Sequence, residues 1–189
     1  MLKSESLALS LLQARRQGVL HAALAIVGGA LIALSARLSI PLPFSPVPIT
    51  LQTAVILTLA GLLGRRSVWS VGVYLVAGAL GLPVLAGNWG GLARFAGPTG
   101  GYLLGFALAA YVAGWLSEHS ADQPLRLLLA LLSGQALIYI CGLAWLSHFV
   151  PTNRLLLAGL YPFLPGDACK LAMSFLLVAP ARLAQDSSR

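Results

Sequence analysis

The sequence is poor in charge. Of its 189 residues 9% are Asp, Glu, Lys or Arg, against 58% hydrophobic, whereas a soluble globular chain carries about a quarter charged residues. A water-soluble domain is thereby excluded, and the chain reads as an integral membrane protein. Lysine is scarcer still, present only as Lys3 and Lys170. No Gly-x-x-x-x-Gly-Lys-Ser/Thr occurs, which excludes ATP hydrolysis through a phosphate loop. Cys141 and Cys169 stand in apolar runs with no second Cys or His at ligand spacing, so both read as packing residues and no metal site is expected. His21, His119 and His148 are scattered over predicted helix ends. A membrane enzyme needs a nucleophile beside a base, or paired acids, and neither pattern is found, so the reading is not an enzyme. The basic residues occur singly or in pairs rather than on one clustered face, so the formal charge of +7 marks topology and not a nucleic-acid partner.

What the chain does have is apolar length. A helix crossing about 30 Å of hydrocarbon needs roughly 20 mainly apolar residues, and six such spans fit: 18–36, 49–64, 68–83, 101–116, 125–150 and 167–184. The fold class is therefore an all-α integral membrane protein of six transmembrane helices. Residues 1–17 form a cytoplasmic lead-in, 18–184 the membrane domain and 185–189 a cytoplasmic tail. Leu7, Leu11 and Leu12 with Arg15 and Arg16 fit an amphipathic approach to the membrane surface, and the lead-in is not read as a removable signal peptide. Six spans put both termini on one side. That side holds Lys3, Arg15, Arg16, Arg65, Arg66, Arg126, Arg182 and Arg189, and the other holds Arg37, Arg94 and Arg154. The excess places both termini in the cytoplasm. The connections 37–48 and 84–100 are then external, and the first is expected to cover a pocket that opens outward.

Against this background Asp167 and Lys170 stand out. Pro165 and Gly166 precede a helix whose first turn is expected near Asp167, so the acid and the base, three residues apart, share one face. Each ion costs about 2.5–3.5 kcal/mol at the centre of a membrane helix on insertion scales. Two readings stay open: an ion pair that neutralises itself, or a site in which each group reaches a polar ligand. A carboxylate accepts from N–H and an ammonium donates to C=O, so a neutral ureido or amide group suits both. The stretch 81–102 is the densest in glycine, and Asn88 and Trp89 within it offer an amide and a flat ring to a ligand that is part ring and part amide, although a purely structural loop fits equally. Thr99-Gly-Gly-Tyr102 is short of a potassium filter because Leu103 replaces the final glycine; a small channel remains as an alternative. Ala25, Gly29 and Ala33, flanked by Ala22 and Ala30, form a small-residue stripe that suits close helix packing, within the chain or against another subunit.

Four tracts taken together carry a family resemblance: Pro43-Phe-Ser-Pro-Val-Pro-Ile-Thr-Leu-Gln-Thr53, Gly78-Ala-Leu-Gly-Leu-Pro-Val-Leu-Ala-Gly87, Gly97-Pro-Thr-Gly-Gly-Tyr-Leu-Leu-Gly-Phe106 and Pro165-Gly-Asp-Ala-Cys-Lys170. In content and order they resemble the BioY family, the biotin-specific substrate-binding (S) components of energy-coupling-factor (ECF) vitamin transporters. The resemblance covers roughly residues 22–180. It implies a subunit of a bacterial cell membrane that captures biotin from outside and releases it inside, together with a membrane coupling subunit and two cytoplasmic ATPases. It further implies that Asp167 and Lys170 bind the ureido ring, with Asn88 as a third polar contact and Thr50, Gln52 and Tyr102 near the outer face. Arg94, external and just before the Gly97-Pro-Thr motif, has two readings, a contact by charge with the biotin carboxylate or a place in water, and Ala25, Gly29 and Ala33 match the coupling surface. Biotin is the ligand and no cofactor is implied; an S component for another vitamin is the alternative.

Overall fold

The computed structural model of the chain describes residues 2–120 and 123–186, with side chains described from residue 15 onward except those of residues 183, 185 and 186. The expected amphipathic side chains Leu7, Leu11 and Leu12, and the charges of Lys3, Glu5, Asp122, Asp186 and Arg189, lie outside the described side chains.

Most of the backbone is helical, as apolar segments must be when hydrocarbon offers no hydrogen-bond partner. The chain runs through α1 (Leu2–Arg37), a hairpin of β1 (Ser39–Leu42) and β2 (Ser45–Thr50), then α2 (Gln52–Leu63) and α3 (Ser67–Ala79). A long loop carrying the single turn α4 (Ala93–Ala96) leads to α5 (Gly100–Glu118) and α6 (Pro124–Leu146). The short α7 (Leu155–Gly159) precedes α8 (Leu164–Asp186). Among the described residues, five helical stretches are long and apolar enough to cross a membrane: Arg15–Arg37, Gln52–Ala79, Gly100–Glu118, Pro124–Leu146 and Leu164–Arg182.

The stretch Gln52–Ala79 is bent back on itself. At Gly64 the backbone turns through φ +64°, and a short 3-10 turn over Gly64–Arg66 joins α2 to α3. Gln52 and Tyr74, 22 residues apart, share a hydrogen bond of 2.6 Å from the amide Nε2 to the phenol oxygen. In one continuous helix they would stand about 33 Å apart. The two arms of 12 and 13 residues are therefore each roughly 18–20 Å long, and the β-hairpin and the 80–99 loop fill the space beyond their ends.

The hairpin is a feature that the sequence reading lacks. Pro41, Pro43, Pro46 and Pro48 read as an irregular connection, yet a two-stranded ribbon consists of edges alone, and edges are where strands tolerate residues without an N–H. Ser39 pairs with Thr50, Ile40 with Ile49 and Leu42 with Ser45, and the register shifts between Ile40 and Leu42, where Pro41 sits. Other boundaries move modestly. The second span begins at Gln52 rather than residue 49, because Ile49 and Thr50 belong to β2; α6 ends at Leu146; and α8 begins at Leu164, three residues before Asp167, with Pro165 in its first turn where a missing N–H costs nothing.

Small residues set the helix spacing. A Cβ on Gly101 would lie 2.2 Å from the Trp145 Cβ, one on Gly105 would lie 3.0 Å from the Ile138 backbone, and one on Gly142 would press into the Tyr102 ring, so α5 and α6 approach as closely as backbones allow. The small-residue stripe of α1 is used the same way. Gly28 and Gly29 are buried against Ser70 and Val73 of α3. Of the residues expected on a coupling surface, Gly29 is therefore covered within the chain, Ala25 and Ala33 are half-buried, and Ala22 and Ala30 are exposed.

The two ends of the bundle differ in chemistry. One end carries His21 against Arg66 at 2.8 Å, Glu118 accepting the Arg65 backbone N–H at 2.9 Å, and Arg182 donating to the Gly61 carbonyl at 2.8 Å. The other end carries the hairpin, the glycine-rich loop and the start of α8.

Candidate ligand-binding site

Asp167 lies in the first turn of α8, where the helix N-terminus favours a negative charge. Lys170 follows one turn later and its ammonium is 2.7 Å from Asp167 Oδ1. The side chains are 8% and 11% exposed respectively, a burial that an unpaired ion does not tolerate. The remaining carboxylate oxygen, Oδ2, accepts two further hydrogen bonds from α6: the Tyr139 hydroxyl at 2.5 Å and the Gln135 amide nitrogen at 2.8 Å. Residues 135 and 139 are four apart and share a helix face, so one side of α6 closes over one oxygen. The Gln135 carbonyl oxygen is buried with no partner among the described residues, an arrangement that costs about 1–3 kcal/mol.

The pair borders a cavity of about 290 Å³, at the lower end of the size range of small-molecule sites. Its walls come from every part of this end of the bundle: Pro41, Leu42 and Val47 of the hairpin, Gln52 and Thr53 at the start of α2, Leu85 and Trp89 of the loop, Tyr102, Leu103 and Phe106 of α5, Ile138 and Tyr139 of α6, and Phe163 before α8. Most of this lining is apolar, and the polar groups converge on it from a few points. The hairpin is pinned over the cavity by Ser45, whose hydroxyl donates to the Ala158 carbonyl of α7 at 2.6 Å and accepts the Val47 N–H at 3.0 Å. Ser174, one turn below Lys170, donates to the Ala54 carbonyl at 3.0 Å and fastens α8 to α2 beneath the cavity.

Seven of the eight candidate binding residues meet here: Asp167, Lys170, Arg94, Tyr102, Gln52, Thr50 and Trp89 all line the cavity. Arg94 stacks its guanidinium 4.4 Å above the Trp89 ring, so the loop presents a cation held by an aromatic face. The Tyr102 hydroxyl is engaged by the Gly159 carbonyl at 2.7 Å, which leaves its ring to the cavity. Gln52 is held by Tyr74.

Asn88 does not join them. It is exposed, has φ +60° and follows Gly87 at φ +78°, and the Leu85 N–H donates to the Trp89 carbonyl across the turn at 3.0 Å. Asn tolerates a left-handed conformation better than most residues, and here it turns the chain while its neighbours Ala86, Gly87 and Trp89 face the cavity.

Gln135 and Tyr139 are the polar residues that the sequence reading passed over. They lie in an apolar helix whose one charge, Arg126, stands at its start, and the only signal was their spacing of four. Thr53 was missed likewise: it lines the cavity with its hydroxyl buried and, among the described residues, unpartnered. Cys169 is exposed on α8 and not packed, since it lies two residues past Asp167 and faces away from the bundle, while Cys141 is half-buried.

The profile of the BioY family matches residues 6–186 of this chain. The chain belongs to the BioY family. Among BioY relatives, the biotin transporter BioY of Thermotoga maritima is 39% identical over 150 residues, which span 78% of this chain and 87% of that one. The probable biotin transporter BioY of Pyrococcus horikoshii is 36% identical over 149 residues, with 78% and 87% covered. Among solved structures, the S component for biotin from an ECF-type ABC transporter superposes with a TM-score of 0.79 at 32% identity over 88% of this chain and 93% of that chain. BioY proteins are components of a transporter and not enzymes. With its apolar helices, this BioY chain is a multi-pass membrane protein.

Proposed function

We propose that this chain is the subunit that captures biotin for an ECF-type transporter, binding it in the cavity beside Asp167 and Lys170. The observation that carries this reading is a buried carboxylate and a buried ammonium side by side in the wall of a small, mainly apolar cavity. Asp167 Oδ1 accepts from Lys170 alone among the described residues, so it retains a lone pair, and Lys170 retains N–H groups. A cyclic urea supplies an N–H to the first and a C=O to the second and adds no charge. The fused apolar ring suits Leu103, Phe106 and Ile138, and the valerate carboxylate suits Arg94.

The same reading places six crossings in a bacterial plasma membrane, α1, α2, α3, α5, α6 and α8, with both termini in the cytoplasm. The fold-back of α3 onto α2 supports the count. The orientation is supported by Arg15, Arg16, Arg65, Arg66, Arg126 and Arg182 on the end away from the cavity. The cavity then opens outward, and a membrane coupling subunit with two ATPases drives release to the inside. Docking falls to the open edge of the α1 stripe, Ala22 and Ala30, since Gly29 is covered by α3 and Ala33 packs on the core.

The test is competition. Detergent-purified protein should bind labelled biotin, and excess unlabelled biotin should displace it while thiamine and riboflavin should not. Displacement by another vitamin in preference to biotin would assign the cavity to that vitamin. Ion conductance from the lone chain in a planar bilayer would favour a channel.

A further inference from the structure

We infer that Gln135 and Tyr139 are positioning residues that aim the Asp167 carboxylate, and that this aim makes the site select a head group by its N–H. The inference rests on the assignment of the head-group end of biotin to Asp167 and Lys170. Neutralising Asp167 requires only one cation, and Lys170 provides it at 2.7 Å. Two more donors nevertheless converge from α6 on the other oxygen. Oδ2 has two lone pairs and both are taken, so the free acceptor capacity of the carboxylate is confined to Oδ1, the oxygen next to the Lys170 ammonium. The site thus presents one acceptor beside one donor in a set orientation, the complement of an N–H beside a C=O.

Gln135 is absent from the cavity lining and 7% exposed, so it acts on a ligand only through Asp167. Its amide orientation is dictated by the carboxylate: turned over, it would set oxygen against oxygen. In this orientation its own carbonyl is left buried without a partner among the described residues. A leucine at this position would avoid that burden, so the residue is explained by the hydrogen bond to Asp167 and not by packing. Tyr139 contributes its ring to the cavity wall and its hydroxyl to Oδ2, while the nearby Tyr102 hydroxyl is directed away to Gly159 and does not compete.

The experiment compares ligands rather than affinities alone. Binding to the purified full chain is measured for biotin, for cyclic carbamate analogues in which one or the other ureido N–H is replaced by O, and for biotinamide, which lacks the carboxylate charge. The wild type should prefer biotin over at least one carbamate. In Gln135→Leu, and separately in Tyr139→Phe, that preference should shrink by about tenfold or more, while the preference for biotin over biotinamide stays unchanged. A variant that merely loosens the fold would lower all affinities together. If the wild type discriminates between head groups and both variants retain that discrimination in full, the positioning role is wrong. If the wild type binds biotin but shows no preference between biotin and either carbamate, the assignment of Asp167 to the head group is wrong as well.

Discussion

Lys170 and Asp167 face each other across 2.7 Å with about a tenth of each side chain exposed, so neither can be altered alone without leaving the other as an unpaired buried charge. Removing one partner of such a pair typically costs about 3–5 kcal/mol. Asp167→Asn and Lys170→Met should each lower the unfolding temperature of the detergent-purified protein clearly, whereas the double variant should recover much of that loss. Thermal unfolding of the three variants checks this; a double variant less stable than both single ones would show that the charges do not compensate one another.

Arg94 and the pair are expected to hold opposite ends of one ligand. Arg94→Gln should weaken biotin binding by about tenfold or more, the loss expected for a charge-assisted contact, yet leave the affinity for biotin methyl ester nearly unchanged. Titration of both ligands into both proteins gives the comparison. An equal loss for acid and ester would remove Arg94 from the carboxylate and leave it as the cation stacked on Trp89.

Gly29 and Ala30 are adjacent in sequence and opposite in environment. A side chain at Gly29 meets the Ser70 carbonyl at 3.1 Å and Val73 at 3.0 Å, so Gly29→Leu should force α1 off α3 and reduce the yield of folded protein. Ala30 is exposed, and Ala30→Trp should spare biotin binding while impairing uptake in cells that contain the coupling and ATPase subunits. Full uptake by Ala30→Trp would place the docking surface off this edge of α1.

The turn at Gly64 predicts an accessibility pattern. In a chain whose native cysteines are replaced by serine, a cysteine at Arg65 should react with a membrane-impermeant maleimide only in inverted vesicles, and one at Leu92 only in intact cells. The reverse pattern would invert the orientation, and labelling of both from one side would remove the α2–α3 fold-back.

These tests also mark how far the residues could be read in advance. The Asp167–Lys170 pair was legible because an acid and a base within an apolar run have no bland surroundings to hide in. The turn between α2 and α3 was legible from Arg65-Arg66, since paired arginines end a span. The hairpin over the cavity was not, because four prolines in ten residues carry the signature of an irregular loop, and only the pairing of Ser39 with Thr50 reveals a ribbon. Asn88 drew attention as an amide in a glycine-rich loop, but its left-handed backbone turns the chain and leaves its side chain outside the cavity. Gln135 and Tyr139 were invisible for the opposite reason to the pair: without charge they blend into α6, and their meaning depends on α8 arriving from far along the chain to place Asp167 2.8 Å and 2.5 Å away.

The central claim is that the buried acid and base hold biotin directly. Isothermal titration of biotin into the purified wild-type chain and into the Asp167→Asn and Lys170→Met variants tests it. The account predicts one saturable site per chain in the wild type and a loss of about a hundredfold or more in each variant, as about 3 kcal/mol of lost charge-assisted hydrogen bonding implies. Undiminished biotin affinity in both variants would contradict it.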